Sequence, residues 1–140
     1  MLLSPLAVFF IAAAWFAKFR WRARMRTMTP LSTPESATGL GRIGHVRLLE
    51  RPHLTENYLT NEMGFKVARK HAEKLWRIAV AAGGVIPVML LAALTVFGTG
   101  GGFSAFVAGL AVLSFYAGTL VERWLFFAEA RHAVMNYYGG

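Results

Sequence analysis

The apolar positions of this chain fall into long unbroken blocks, separated by polar stretches. Met1 to Ala17 carries no charged side chain. From Ile78 to Val121 there are 44 residues without one charge. A bilayer core about 30 Å thick needs roughly 20 apolar residues in a helix. The second block therefore fits two crossings with a turn between them. The turn is legible as Gly98-Thr99-Gly100-Gly101-Gly102, small and poor at holding a helix. The pattern predicts transmembrane helices over residues 78–97 and 103–123, joined by the glycine turn at 98–102. Soluble helices of that length would need a polar face, and these have none.

Residues 1–22 read as a further transmembrane helix. Lys18, Arg20, Arg22, Arg24 and Arg26 follow its apolar run. A secretory signal places its positive charge before the apolar run, so the order here is the reverse of a cleaved leader. Trp15 and Trp21 are expected to flank the interface, with the long basic side chains reaching the head groups. Pro5 sits in the first turn, where it is tolerated. The expected fold class is thus all-α: an integral membrane bundle of about three helices with a long basic cytoplasmic loop.

The polar blocks have a pattern of their own. Residues 23–55 are rich in Thr, Ser, Pro and Gly and are expected to form an extended docking loop. Gly39, Gly41 and Gly44 permit close backbone approach, and Arg42, Arg47 and Arg51 offer fork-shaped donors for carboxylates. An anionic lipid surface is the other reading of that charge. Residues 56–77 turn helical: Phe65, Ala68, Ala72 and Leu75 recur at three- and four-residue steps. Glu62–Lys66 and Arg69–Glu73 are spaced as favourable pairs four apart. This amphipathic basic helix is expected near the membrane surface, with Arg69 and Lys70 added to the docking residues. Pro87 is expected to bend the second span, with neighbours satisfying the freed carbonyl. Ala79 with Gly83, and Ala105 with Gly109, are spaced for close helix approach.

Charge then orients the chain. The formal net charge is +8, and thirteen of the fifteen basic residues lie between Lys18 and Arg77. The positive-inside rule puts the N-terminus outside, the long loop inside, the glycine turn outside and the tail, residues 124–140, in the cytoplasm. Nucleic-acid binding is disfavoured, because Glu35, Glu50, Glu56 and Glu62 interrupt the basic loop and stacking aromatics are few.

Candidate chemistry is sparse. The chain has no cysteine and no aspartate, which removes disulfides and thiolate metal sites. His45, His53, His71 and His132 all lie outside the middle of the spans, and no metal spacing or phosphate-binding loop is present. No self-sufficient enzyme site is legible. In the tail, Glu122, Phe126 and Glu129 share a helical face, and Glu129 lies three residues before His132. Ionisable groups at the edge of a membrane helix suit either anchoring or a quinone head group.

These residues carry a resemblance. The run Ala117-Gly118-Thr119-Leu120-Val121-Glu122-Arg123-Trp124-Leu125-Phe126-Phe127 resembles the last helix of the membrane anchor subunits of dimethyl sulfoxide reductase-type molybdoenzymes. Ser36-Ala37-Thr38-Gly39-Leu40-Gly41, Val46-Arg47-Leu48-Leu49-Glu50, Glu62-Met63-Gly64-Phe65 and Ala68-Arg69-Lys70-His71-Ala72 are similar to the same anchors, in a bacterial subgroup that includes sulfite dehydrogenases. Such anchors have more spans than the three counted here, so the resemblance implies the C-terminal half of one. It implies a bacterial inner-membrane subunit, not an enzyme by itself, that tethers an iron–sulfur subunit and a molybdopterin subunit and couples them to quinone. The clusters and molybdopterin are expected in the partners, with no metal held by this chain. Arg42, Arg47, Arg51, Arg69 and Lys70 are the expected partner-docking residues. His71, Arg123, Glu129 and His132 are the expected quinone-proximal ones.

Overall fold

The structure is a computed structural model that describes residues 3–50, 66–97 and 100–130. All regular structure among the described residues is helical. Helix α1 spans Leu3–Thr27, α2 Pro34–Thr38, α3 Lys66–Lys70, α4 Ala72–Val80, α5 Ile86–Phe97 and α6 Gly102–Glu129. A π-helical turn, Ala81–Val85, joins α4 to α5 without interrupting the rod. Three helices are long and apolar enough to cross a membrane: Leu3–Thr27, Ala72–Phe97 and Gly102–Glu129, of 25, 26 and 28 residues. Each exceeds the roughly 20 residues a bilayer core requires. The surplus lies at one end of the bundle, where the charged residues are.

These rods expose apolar side chains over most of their surface. Phe9, Phe10, Phe16, Met89, Phe106, Leu113 and Tyr116 are each 60% exposed or more. Soluble monomers rarely expose apolar patches of more than a few hundred Å². The interior is built from small residues. Along α6 the buried positions are Ala111, Gly118, Glu122, Leu125 and Ala128, the three- and four-residue steps of a helix seam. Ala68, Ala79 and Gly83 are buried on the second rod, and Gly84 packs on Trp15 of α1. A Cβ on Gly118 would overlap the Gly83 backbone, and one on Gly83 would lie 2.7 Å from Trp15 Cζ2. The three rods therefore meet at Gly83 with no room for a further methyl group. The expected Ala79/Gly83 approach is present. The other, Ala105 with Gly109, is not: both are exposed, and a Cβ on Gly109 would meet nothing within 4 Å.

The carbonyls freed around Pro87 are satisfied by side chains from both neighbouring rods. Pro87 has no N–H to give the carbonyl of Gly83, four residues earlier. Trp15 Nε1 donates to that oxygen at 2.7 Å. In the π turn the Ile86 N–H goes to Ala81 O, five residues back, which releases Ala82 O from its ordinary α-helical partner. Ser114 Oγ donates to Ala82 O at 2.7 Å. Each freed carbonyl thus takes a donor from a different helix, as a dry interior requires. This moves Trp15 inside: it is 6% exposed rather than at the interface, whereas Trp21 is 46% exposed.

Two segments differ from the sequence expectation. The loop after α1 is not extended throughout. Thr33 and Ser36 form a reciprocal capping box, Pro34 stands in the first turn and Gly39 ends α2 with φ +71°. Caps at both ends let five residues hold a helical turn. Residues 66–77 are not a helix separate from the second span: α3 and α4 continue into the second long rod, with His71 N–H bonded to Val67 O and Leu75 N–H to His71 O. Their apolar stripe, Ala68, Ala72 and Leu75, turns into Ala79 and Gly83 and packs on α6. The small side chains on that stripe let the two rods approach closely. Residues 56–65, including Phe65 and Glu62, lie outside the described residues.

Candidate functional site: a charged cluster at one end of the bundle

The C-terminal half of α1, the start of α4 and the end of α6 meet at one end of the molecule. On α1 the basic residues alternate with other types, but a helix sorts them by fours. Lys18, Arg22 and Arg26 share one face, and Arg20 and Arg24 share another. The first set engages the acids of the other two rods. Lys18 Nζ donates to Glu122 Oε2 at 2.5 Å. Arg22 grips Glu129 with two parallel bonds of 2.6 and 3.0 Å and reaches Glu73 at 3.5 Å. Arg26 pairs with Glu73.

Burial makes the inner pair the most demanding. Glu122 has 10% of its side chain exposed and Lys18 29%, while Glu73 is 59% exposed. A buried charge is tolerated only beside a partner. The cations also lie over aromatic faces: Lys18 Nζ is 5.6 Å from the Trp15 ring centroid and the Arg22 guanidinium 4.3 Å from that of Trp76. Trp15, Phe19 and Trp76 form edge-to-face and tilted contacts 5.5–6.3 Å apart. Arg22 Nε is buried without a hydrogen-bond partner, consistent with the guanidinium lying against the Trp76 ring.

The expected site residues separate. Arg69 is committed within the chain: its Nε and Nη2 donate to Ala128 O and Ala130 O at 3.0 and 2.9 Å. It thereby satisfies carbonyls left open where α6 ends. It does not pair with Glu73, whose partners are Arg22 and Arg26. Glu129 is likewise engaged, by Arg22. Arg123 lies over Phe126 at 5.5 Å, and His71 is exposed at the α3–α4 joint without a side-chain cap bond. No hydrogen bond or ion pair joins His71, Arg123 and Glu129 to one another. Arg51 and His132 lie outside the described residues. Arg42, Arg47 and Lys70 are exposed. Among the described residues no group of three or more His, Asp or Glu side chains converges as a metal site would require.

The loop has one organised feature of its own. Glu35 Oε1 accepts from Val46 N–H at 3.3 Å and pairs with His45 Nδ1 at 2.8 Å. Its own backbone N–H and the Thr33 side chain, then Val46 and His45, hold its carboxyl below the usual range. Gly41 packs closely nearby, since a Cβ there would lie 3.0 Å from Glu35 Cβ. Arg42 and Arg47, beside this turn, are both exposed.

Lys18, Arg22 and Arg26 were not legible as a partnered set, although one signal existed. Their four-residue spacing places them on one face of α1, and Glu122 and Glu129, seven apart, share one face of α6. Comparison with protein-family models, with curated proteins and with solved structures finds no match to this chain.

Proposed function

We propose that this chain is a non-catalytic membrane anchor that holds a soluble partner against its basic end. The observation that carries the reading is the division of charge there. Glu73, Glu122 and Glu129 are matched to Lys18, Arg22 and Arg26, so the acids of the bundle are used internally. Arg42, Arg47, Lys70 and Lys74 remain exposed. Such a surface suits an acidic protein, with arginine forks for its carboxylates. Positive-inside orientation supports a cytoplasmic location for that end, in a bacterial inner membrane. The resemblance to the anchors of molybdoenzymes supports a finer reading. In it the partner is an iron–sulfur subunit bound to a molybdopterin subunit, and the complex exchanges electrons with quinone. With Arg69 and Glu129 engaged inside the chain, docking falls mainly to the loop.

Co-purification from its native membrane tests this. The solubilised chain is expected to bring down a complex with stoichiometric iron and acid-labile sulfide. Replacing Arg42, Arg47 and Arg51 together with Ala is expected to release that complex while leaving the anchor in the membrane. An anchor that purifies free of iron–sulfur protein at low salt overturns the molybdoenzyme reading. Equal retention by the triple variant overturns docking through the loop. A small autonomous membrane protein that recruits another acidic partner is the second reading. The exposed basic end favours it equally, and iron content separates the two.

A further inference from the structure

An open groove of about 240 Å³ runs along the bundle between α1 and the second rod, lined by Phe19, Trp76, Arg77, Val80, Ala81 and Val85. We propose that this groove binds one anionic phospholipid, with its phosphate on Arg77 and an acyl chain along Val80, Ala81 and Val85. Four observations point to that occupant. Arg77 is the one charged residue among those lining the groove, and a guanidinium is the side chain best suited to grip a phosphate with paired donors. The apolar part extends from Arg77 to Val85, about 12 Å along the rod at 1.5 Å per residue. It therefore runs parallel to a lipid chain in a membrane crossed by that rod. Phe19 and Trp76, 5.5 Å apart and edge to face, stand beside Arg77 where an interfacial aromatic belt would lie. Finally, the nearest acid along the helix does not neutralise Arg77: the Glu73 carboxylate is held by Arg26 and Arg22. Among the described residues no carboxylate pairs with Arg77. Exposed Lys74, three residues earlier, adds a second cation on the neighbouring turn.

The depth of the groove depends on Ala81, which begins the π turn and presents only a methyl group. The site rests on the membrane-spanning reading but not on the docking of any soluble partner. It is therefore tested on the isolated full chain, where loss of partner capture has no bearing. The chain is purified in detergent, exposed to equal amounts of phosphatidylglycerol and phosphatidylcholine, and examined by native mass spectrometry. One phosphatidylglycerol is expected to be retained per chain, several-fold over phosphatidylcholine. Arg77→Gln is expected to lower its occupancy at least fivefold. Arg20→Gln, the same charge change on α1 at a residue that does not line the groove, is expected to leave it unchanged. Ala81→Leu fills the groove without altering charge and is expected to lower occupancy similarly. Equal retention of the two lipids, equal loss in Arg77→Gln and Arg20→Gln, or full occupancy in Ala81→Leu each overturns the proposal. So does displacement of the lipid by millimolar glycerol 3-phosphate, since that would mark a site for soluble phosphate.

Discussion

Lys18 and Glu122 form the most buried ion pair of the bundle, and their value lies in the pairing more than in either charge. Removing one partner strands the other in an apolar interior, which costs about 3–5 kcal/mol for a fully buried pair. Lys18 keeps 29% exposure, so a smaller loss is expected here. Glu122→Gln or Lys18→Met alone is expected to destabilise the bundle by about 1–3 kcal/mol. The double replacement Lys18→Met with Glu122→Leu is expected to recover most of that loss. Thermal unfolding in detergent, arranged as a double-mutant cycle, measures the coupling. Additive losses would mean that the pair is not an energetic unit. At the same scale, Glu35 predicts a pH response in the loop. Its carboxyl is held below its usual value in the folded turn. Its stabilising contribution is therefore present above the unfolded pKa, near 4.5, and is lost as pH falls through the lower folded value. Hydrogen exchange at the Val46 amide is expected to be slow at neutral pH and to lose its protection on acidification. Glu35→Gln is expected to remove that dependence. This carboxylate was not legible as a structural group, because its partners Thr33, His45 and Val46 are gathered by a turn that charge and composition do not announce.

At the scale of elements, the second rod combines a proline, two glycines and a π turn in its middle, all features that weaken an isolated helix. It persists because donors from two other helices replace the missing backbone bonds. Trp15→Phe and Ser114→Ala each leave a carbonyl without its donor, and each is expected to cost about 0.5–1.5 kcal/mol. Gly118→Ala acts differently. It forces a methyl into the backbone of Gly83, and overpacking of this kind costs about 1–3 kcal/mol. Gly109→Ala serves as its control, since that position faces open space. Equal unfolding temperatures for the two variants would contradict the packing at Gly118. Both glycines sit in apolar runs of the same helix and look alike in sequence. Only the neighbouring rod distinguishes them.

For the whole molecule, the central expectation is the direction of the three rods. The absence of cysteine makes this measurable without background. A single cysteine in place of Gly100 is expected to react with an impermeant maleimide from the outer side of intact cells. One in place of Ser36 is expected to react only after the membrane is opened. The reverse pattern would invert the topology and remove the cytoplasmic face from the docking surface. The same arrangement explains why the molecule tolerates its charge. The rods alternate in direction, so Lys18, Arg22 and Arg26 meet Glu73, Glu122 and Glu129 at one end. There the ends of long helices extend beyond the length that a bilayer core requires.

The number of rods, their apolar character and the concentration of charge at one end are properties of the linear pattern. Each depends on local composition over a length comparable with a membrane, so the sequence alone determines them. Tertiary structure decided which charges are free. The five basic residues from Lys18 to Arg26 look equivalent along the chain, yet the helical period divides them. Three are matched to acids 47 to 107 positions away, and two are left outward. It also decided that Arg69 caps α6 instead of facing a partner, and that Trp15 reaches into the interior to the carbonyl released by Pro87. These outcomes depend on which faces of distant helices are brought within hydrogen-bond reach. Periodicity identifies a face, but only the packing of one rod against another selects its partner.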